Sequence, residues 1–329
     1  MSGGKLALII GATGGIGGAT ATALIAHGWR VRGLTRDPVR GARDFAALGP
    51  IEWVAGDAMD QMAVVAAAKG VQLILHGANP PRYRNWRGLA LPMLASSIAA
   101  AKASGARLVL SGTVYNYGPD AFPVVDEHAP QQPLTRKGKI RVEMEAMLRQ
   151  AAEQGVRSLI VRAGDFFGIG APSSWFETAM VTPGKPVAAV TYPGKREVGH
   201  SWAFLPDLAE TIARLAALDE AMPAFETVHF QGHWLEQGGE IAQAVRRVTG
   251  RPDLPIRPFV WPLIYLGAPF VTLFRELLEM RYLWLKPLRL DNRKLVGLIG
   301  REPHTPLDEA IRRTLIGFGS LSAEALAAR

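Results

Sequence analysis

The chain has 329 residues, 48% of them hydrophobic and 20% charged, and its 37 basic and 29 acidic side chains leave a formal charge of +8. That composition excludes a disordered chain and suits one large domain or two modest ones. The lack of cysteine excludes thiol catalysis, cysteine-ligated metals and disulfides, and no basic run, zinc spacing or recognition helix turns the positive charge toward nucleic acid, so small anionic ligands are expected.

In chain order, KLALIIGA (residues 5–12) reads as a strand, and its roughly six apolar residues before the glycines are too few for a secretory h-region. A cytoplasmic protein is expected. GIGGATATALIAHG reads as a helix closed by Gly28, RVRGLTR as strand two, IEWVAGD as strand three and VQLILHGA as strand four. WRGLALPMLASSIAAAKASG is a long helix, RLVLSG strand five, GKIRVEMEAMLRQAAEQG a further helix, and RSLIVRAGDFFG strand six with a loop. Short apolar runs alternating with helices predict an α/β fold, a doubly wound parallel sheet of Rossmann type. Residues 1–165 are expected to form this dinucleotide-binding domain. From 166 the pattern loosens into loops rich in Pro, Gly and aromatics. Residues 166–329 are therefore expected to form a smaller C-terminal, mainly substrate-binding region. About 200–218 should return to pack on the first domain, and DEAIRRTLIGFG should close the chain as a helix. The longest apolar stretch, FVWPLIYLGAPFVTLF (259–274), holds Pro262 and Pro269 and falls short of the roughly 20 residues of a membrane span. It is expected to be a buried or pocket-lining helical segment, with an interfacial role as the alternative and no stable membrane insertion.

Gly11, Gly14 and Gly17 stand in G-x-x-G-x-x-G spacing directly between the first strand and the first helix. Glycine permits a tight turn and close backbone approach, and the helix N-terminus supplies N–H donors, so this loop, with Thr13, Gly15 and Ile16, is expected to cradle a dinucleotide pyrophosphate. Strand two ends GLTRDP, which places Arg36 where an NAD-preferring site usually keeps a carboxylate. A guanidinium there can bind a 2′-phosphate in a fork, so NADP is expected, with NAD as the alternative. Read plainly, Arg36 is a solvated residue at a strand end. Asp57, followed by Ala58, is either an acceptor for the adenine amino group or a helix N-cap.

Taken in order, the glycine loop, GDAMD, LILHGAN, LVLSGTVYNYG, VRAGDFFG, WAFLPDLAETI and REPHTPLDEAIRRTL resemble the extended short-chain dehydrogenase/reductase family over nearly the whole chain. That family includes nucleotide-sugar epimerases and dehydratases. The resemblance implies that His76, Gly77 and Ala78 line the nicotinamide side of the cofactor, with Asn79 beside the substrate. Read from the strand alone, His76 is a satisfied buried histidine. Ser111, four residues before Tyr115, maps to the family's serine or threonine and would hydrogen-bond a substrate carbonyl near Thr113; a structural serine is the alternative. The family's Y-x-x-x-K, followed four residues later by a glutamate, aligns on Glu145. This puts Lys137 at the tyrosine position and Arg141 at the lysine position.

The usual proton-transferring tyrosine is thus absent. Arg141 would keep the ribose contact. Lys137 has three open roles: an acid/base group with a depressed pKa, a binder of a substrate phosphate or carboxylate, or an idle exposed cation. Tyr115, Tyr117 and Tyr83 are substitute donors, although the resemblance implies structural packing for Tyr115. In the second half it implies that Asp165, Phe166 and Phe167 face the active site and that His200 and Trp202 contact substrate, while Asp207 reads as a cap or acceptor. The aromatic 258–285 stretch predicts an apolar pocket wall, which favours a ketone, aldehyde or terpenoid-like substrate over a sugar. No metal is expected. A homodimer through helices at about 87–104 and 138–154 is a further implication of the resemblance.

Two readings follow. In the first, the chain is an NADP-dependent oxidoreductase or epimerase acting on a carbonyl or hydroxyl of a small molecule. In the second, it is a catalytically silent dinucleotide-binding sensor or scaffold, a reading favoured by the missing tyrosine.

Overall fold

A computed structural model describes residues 4–80, 85–172 and 174–322. Its elements are, in order, β1 (Leu6–Ile10), α1 (Gly15–Ala26), β2 (Arg30–Thr35), α2 (Pro38–Asp44), β3 (Ile51–Ala55), α3 (Gln61–Ala67), β4 (Leu73–His76), α4 (Trp86–Ser104), β5 (Arg107–Thr113), β6 (Val124–Val125), α5 (Arg136–Glu153), β7 (Ser158–Ala163), β8 (Asp165–Phe167), β9 (Val190–Tyr192) and β10 (His200–Phe204). They continue with α6 (Leu205–Ala217), β11 (Phe225–His229), β12 (His233–Leu235), α7 (Glu240–Thr249), β13 (Ile256–Pro258), α8 (Trp261–Gly267), α9 (Thr272–Met280), β14 (Arg289–Leu290), α10 (Arg293–Ile299) and α11 (Leu307–Gly317).

Continuous apolar runs make central strands. All five residues of β1 are buried, as a parallel strand covered on both faces requires. Seven strands form one sheet in the order β11-β7-β5-β4-β1-β2-β3, with every pairing parallel. The order reverses between β1 and β4, the switch point at which such sheets open a crevice. Register makes the strand ends flush there: Ile10 pairs with His76 and His76 with Leu110.

One face of the sheet is covered by α1 and α6, whose Ile16, Leu24, Leu208 and Ile212 share a core with Ile9 and Val161. The opposite face is covered by α3, α4 and α5, where Val64, Leu94, Met144 and Leu148 pack on Leu8 and Leu108. α6 (Leu205–Ala217) thus lies against the first of these faces. A third core, built on Phe167, Phe176, Trp202, Trp284, Ile241 and Ile311, lies beside the sheet. It carries the three small sheets β12-β10-β8, β13-β9 and β14-β6.

The edge strand β11 was not legible in sequence. FETVH mixes Glu226 and Thr227 into its apolar residues and gains its place only by pairing with β7. The 259–274 stretch also departs from expectation. It forms the short helices α8 and α9 rather than a buried segment, and Leu263, Leu266 and Phe270 are among the most exposed apolar side chains described. No helix among the described residues is long and apolar enough to cross a membrane.

Candidate functional site

At the switch point the carboxyl ends of β1, β2, β4, β5 and β7 surround a cavity of about 600 Å³. Its floor at one end is the glycine loop. Gly11 has φ +89°, and a Cβ there would lie 2.8 Å from the Ala78 nitrogen; a Cβ on Gly17 would lie 2.1 Å from the Gly11 carbonyl oxygen. No other residue fits either position without moving backbone. The Gly14 N–H donates to Gly11 O at 3.0 Å, and α1 begins at Gly15 with no side chain capping it, leaving first-turn N–H groups toward the cavity end.

Thr35 and Arg36 line the wall where β2 ends. Arg36 is exposed and has no ion pair among the described residues, whereas its neighbour Asp37 caps α2 by accepting from Arg40 N at 3.0 Å. Asp57 and Ala58 also lie on the wall. Asp57 accepts from Met59 N at 2.9 Å, and the N-cap of α3 is Asp60, so the capping alternative for Asp57 does not hold.

On the opposite side stand His76 at the end of β4 and Gly77, Ala78 and Asn79 just after it, Ser111 and Thr113 from β5, Tyr115, and Arg141 from α5. The guanidinium of Arg141 donates to Asn79 Oδ1 at 2.9 Å and to Ser111 O at 3.5 Å, and its carbon lies 5.1 Å from the ring centroid of Trp86. Ser97 Oγ donates to Met93 O at 3.2 Å and therefore accepts from His76 Nδ1–H at 2.8 Å. This fixes the tautomer and leaves Nε2 as a bare acceptor. Burial, helped by the Arg141 charge, pushes the His76 pKa down to about 3, so the ring stays neutral. Ser111 Oγ and His76 Nε2 are both buried without a hydrogen-bond partner among the described residues. Two orphan polar atoms on one wall are costly unless a ligand meets them.

A buried charge cluster fixes α5 against the sheet one turn beyond Arg141. Glu145, one turn further along α5, pairs with Arg162 at 2.7 Å, and Arg162 also donates to Thr113 O at 2.9 Å. Arg162 lies against the Tyr117 ring and donates to His229 Nε2 at 3.2 Å. Glu145 thus ties α5 to β5, β7 and β11.

Lys137 is not brought to the cavity. It is 3% exposed, and its Nζ sits 2.6 Å from Glu276 Oε2 and 3.2 Å from Glu276 O, with Glu279 at 4.0 Å. Burial holds its pKa below the usual lysine value, and the Glu276 carboxylate opposes that shift. Spacing on α5 predicted a cation beside Arg141; α9, more than 130 residues later in the chain, supplies the carboxylates that take it. Tyr117 is likewise removed from the donor list: it is fully buried, hydrogen-bonded to His229 at 3.1 Å, and burial pushes its pKa up to about 12. Tyr83 lies outside the described residues.

In the second half, Asp165 and Phe166 line the cavity. His200 and Trp202 do not. His200 Nε2 binds Asp165 Oδ2 at 2.8 Å while its ring stacks on Trp284 at 4.0 Å, so it buttresses the wall from outside. Trp202 is fully buried in the third core, and Asp207 accepts from Thr305 N and Oγ1, both at 2.7 Å. Gly17 lies beneath the loop rather than on the wall. None of 258–285 lines the cavity among the described residues; the apolar end is made by Trp86, Met93 and Trp175. No sequence signal singled out those three, because their role depends on where α4 and the loop after β8 are packed.

This arrangement defines a Rossmann-type dinucleotide site. A family-wide sequence profile, that of the NAD dependent epimerase/dehydratase family, matches residues 7–229. The chain belongs to that family and so to a class of NAD-dependent enzymes. Among solved structures it resembles a candidate epimerase from Burkholderia cenocepacia J2315 (21% identity, 96% of this chain and 99% of that one, TM-score 0.75). It also resembles UDP-glucose 4-epimerase from Bifidobacterium longum in complex with NAD+ and UDP (15%, 96% and 100%, TM-score 0.73). A third similar structure is the UDP-Glc/GlcNAc 4-epimerase from Campylobacter jejuni (16%, 97% and 100%, TM-score 0.72). At these identities the likeness is one of fold. No curated protein matches the chain by sequence.

Proposed function

We propose that the cavity binds NADP and that the protein acts as an oxidoreductase or epimerase on a carbonyl or hydroxyl group of a small molecule. The observation that carries this reading is the pair of buried, unpartnered polar atoms, Ser111 Oγ and His76 Nε2, on one wall of the cavity. The residues present fit a nicotinamide dinucleotide: Gly11 and Gly17 make a loop that a Cβ would fill, and Arg36 stands exposed at the end of β2 for a 2′-phosphate. When bound, the nicotinamide supplies or accepts hydride. Ser111 would donate to the substrate oxygen and stabilise charge developing on it. His76, neutral and with Nε2 as acceptor, would orient a hydroxyl without taking its proton. Arg141 would hold the ribose hydroxyls. With Lys137 bound to Glu276, the Tyr115 phenol on the cavity wall is the group assigned to move the proton.

The test is a fluorescence titration with NADPH and NADH, followed by a substrate panel spanning nucleotide sugars and lipophilic ketones. NADPH is expected to bind more tightly, and Arg36→Ala to reduce that preference about tenfold. Ser111→Ala is expected to lower turnover about a hundredfold with cofactor binding intact. Unchanged turnover in Ser111→Ala would sink the catalytic assignment. Tight cofactor binding with no turnover on any substrate would favour the silent sensor, the reading that the capture of Lys137 by Glu276 supports.

A further inference from the structure

Half of the large apolar side chains exposed among the described residues fall between residues 260 and 273. The most prominent are Phe270 at 88% exposure, Leu266 at 73% and Leu263 at 60%, with Val260, Val271 and Leu273 around them. They lie on the contacting helices α8 and α9, at the N-cap of α8 (Val260) and in the turn between the helices around Pro269. The inner side of the pair is closed, with Ile264, Ala268 and Met280 buried, so the outer apolar face is not a by-product of loose packing. Patches of this kind on a folded chain mark a docking surface.

The charges beside the patch decide what docks. Between residues 254 and 290 every exposed charged side chain is a cation: Arg257, Arg275 and Lys286. The two acids of α9 are turned inward, Glu276 onto Lys137 and Glu279 onto Arg136 N at 2.6 Å. An isologous contact with a second copy would bring those cations against one another on a chain already at +8. An anionic lipid surface neutralises them and takes up the apolar side chains, and the exposed Tyr265 supplies an amphipathic ring suited to the headgroup level.

We infer that the α8–α9 pair is a peripheral membrane-docking element that lies on an anionic bilayer without crossing it. The inference does not rest on the catalytic reading. Trp175, which lines the cavity, packs against Phe259 at 6.0 Å and Trp261 at 6.1 Å, so docking brings the apolar end of the cavity close to the bilayer.

The experiment is flotation of the full chain with vesicles of phosphatidylcholine alone and of phosphatidylcholine with about one-third phosphatidylglycerol. Wild-type protein is expected to float with the anionic vesicles and only weakly with the neutral ones. The Leu266→Asp/Phe270→Asp variant should lose about tenfold or more of the bound fraction while its thermal melt stays unchanged, since both side chains lie in solvent. Arg275→Glu, which leaves the apolar face intact, should weaken binding severalfold, and salt should do the same. Absence of flotation in the wild type, or equal flotation of the double variant, would overturn the inference. A wild-type dimer that ignores vesicles and becomes monomeric in the double variant would overturn it in favour of contact between copies.

Discussion

Lys137 in the first turn of α5 and Arg141 in the second are both buried cations on one helical face, yet they face different partners. Around Arg141 the neighbours are the strand ends: Asn79, Ser111 O and Trp86, in a wall that opens on the cavity. Around Lys137 the neighbours are Glu276 and Glu279 of α9. The same i, i+4 spacing therefore yields a site residue at one turn and a clasp at the other. What decides between them is the charge that the rest of the chain packs against each turn. A carboxylate within 3 Å of Nζ holds a lysine as an ion-pair partner, whereas an amide oxygen, a carbonyl and a ring hold the guanidinium of Arg141 on the cavity wall.

The largest effect that would break this comparison is expected from Glu276→Ala. It leaves Lys137 buried beside only half-buried Glu279 and should cost about 3 kcal/mol of stability, read as a drop in melting temperature. Lys137→Met/Glu276→Leu should recover most of that loss, because an apolar pair of similar volume replaces the ion pair. If the two single changes were additive in a double-mutant cycle, the clasp would be disproved.

A second measurement sharpens the contrast at the ligand. Arg141→Met is expected to weaken cofactor binding about tenfold to a hundredfold, and Lys137→Met by less than about twofold, as read by the same fluorescence titration. Equal losses would place both cations in the site.

A third measurement concerns pH dependence. Burial pushes the pKa of His76 and of His229 down to about 3 and that of His233 to about 4. These rings stay neutral in the folded chain, while in the unfolded chain they take up protons below about 6.5. The unfolded state therefore binds more protons as pH falls, so the stability is fully present above about 6.5 and is lost progressively toward 4 and below. Each ring is expected to contribute roughly 1 kcal/mol per pH unit across that window. Thermal melts from pH 7 to pH 4 should show it, and His76→Asn should flatten the slope if the ring near Arg141 is neutral as described. An unchanged slope in that variant would contradict it.

The glycine loop and the parallel sheet itself were legible in the sequence, whereas a place for His76, Ser111 and Asp165 beside the ligand was only implied by the family resemblance. Loop and sheet depend on contacts within a few residues or on apolar runs that only a doubly covered strand explains. Trp86, Met93 and Trp175 were not legible, because a cavity wall is made by residues that share a place and no spacing. The reversal of His200 and Trp202 has the same cause. Their strand, β10, pairs with β8 in a register that sets Trp202 opposite Asp165, yet Asp165 lines the cavity and both residues of β10 lie behind it.

By itself the sequence determined the fold class and the glycine loop between β1 and α1, both of which are local patterns of glycine and apolar runs. Only the tertiary structure decided what Lys137 touches and that 259–274 stands exposed, because both depend on the energy of burying a charge or an apolar face against elements far away in the chain.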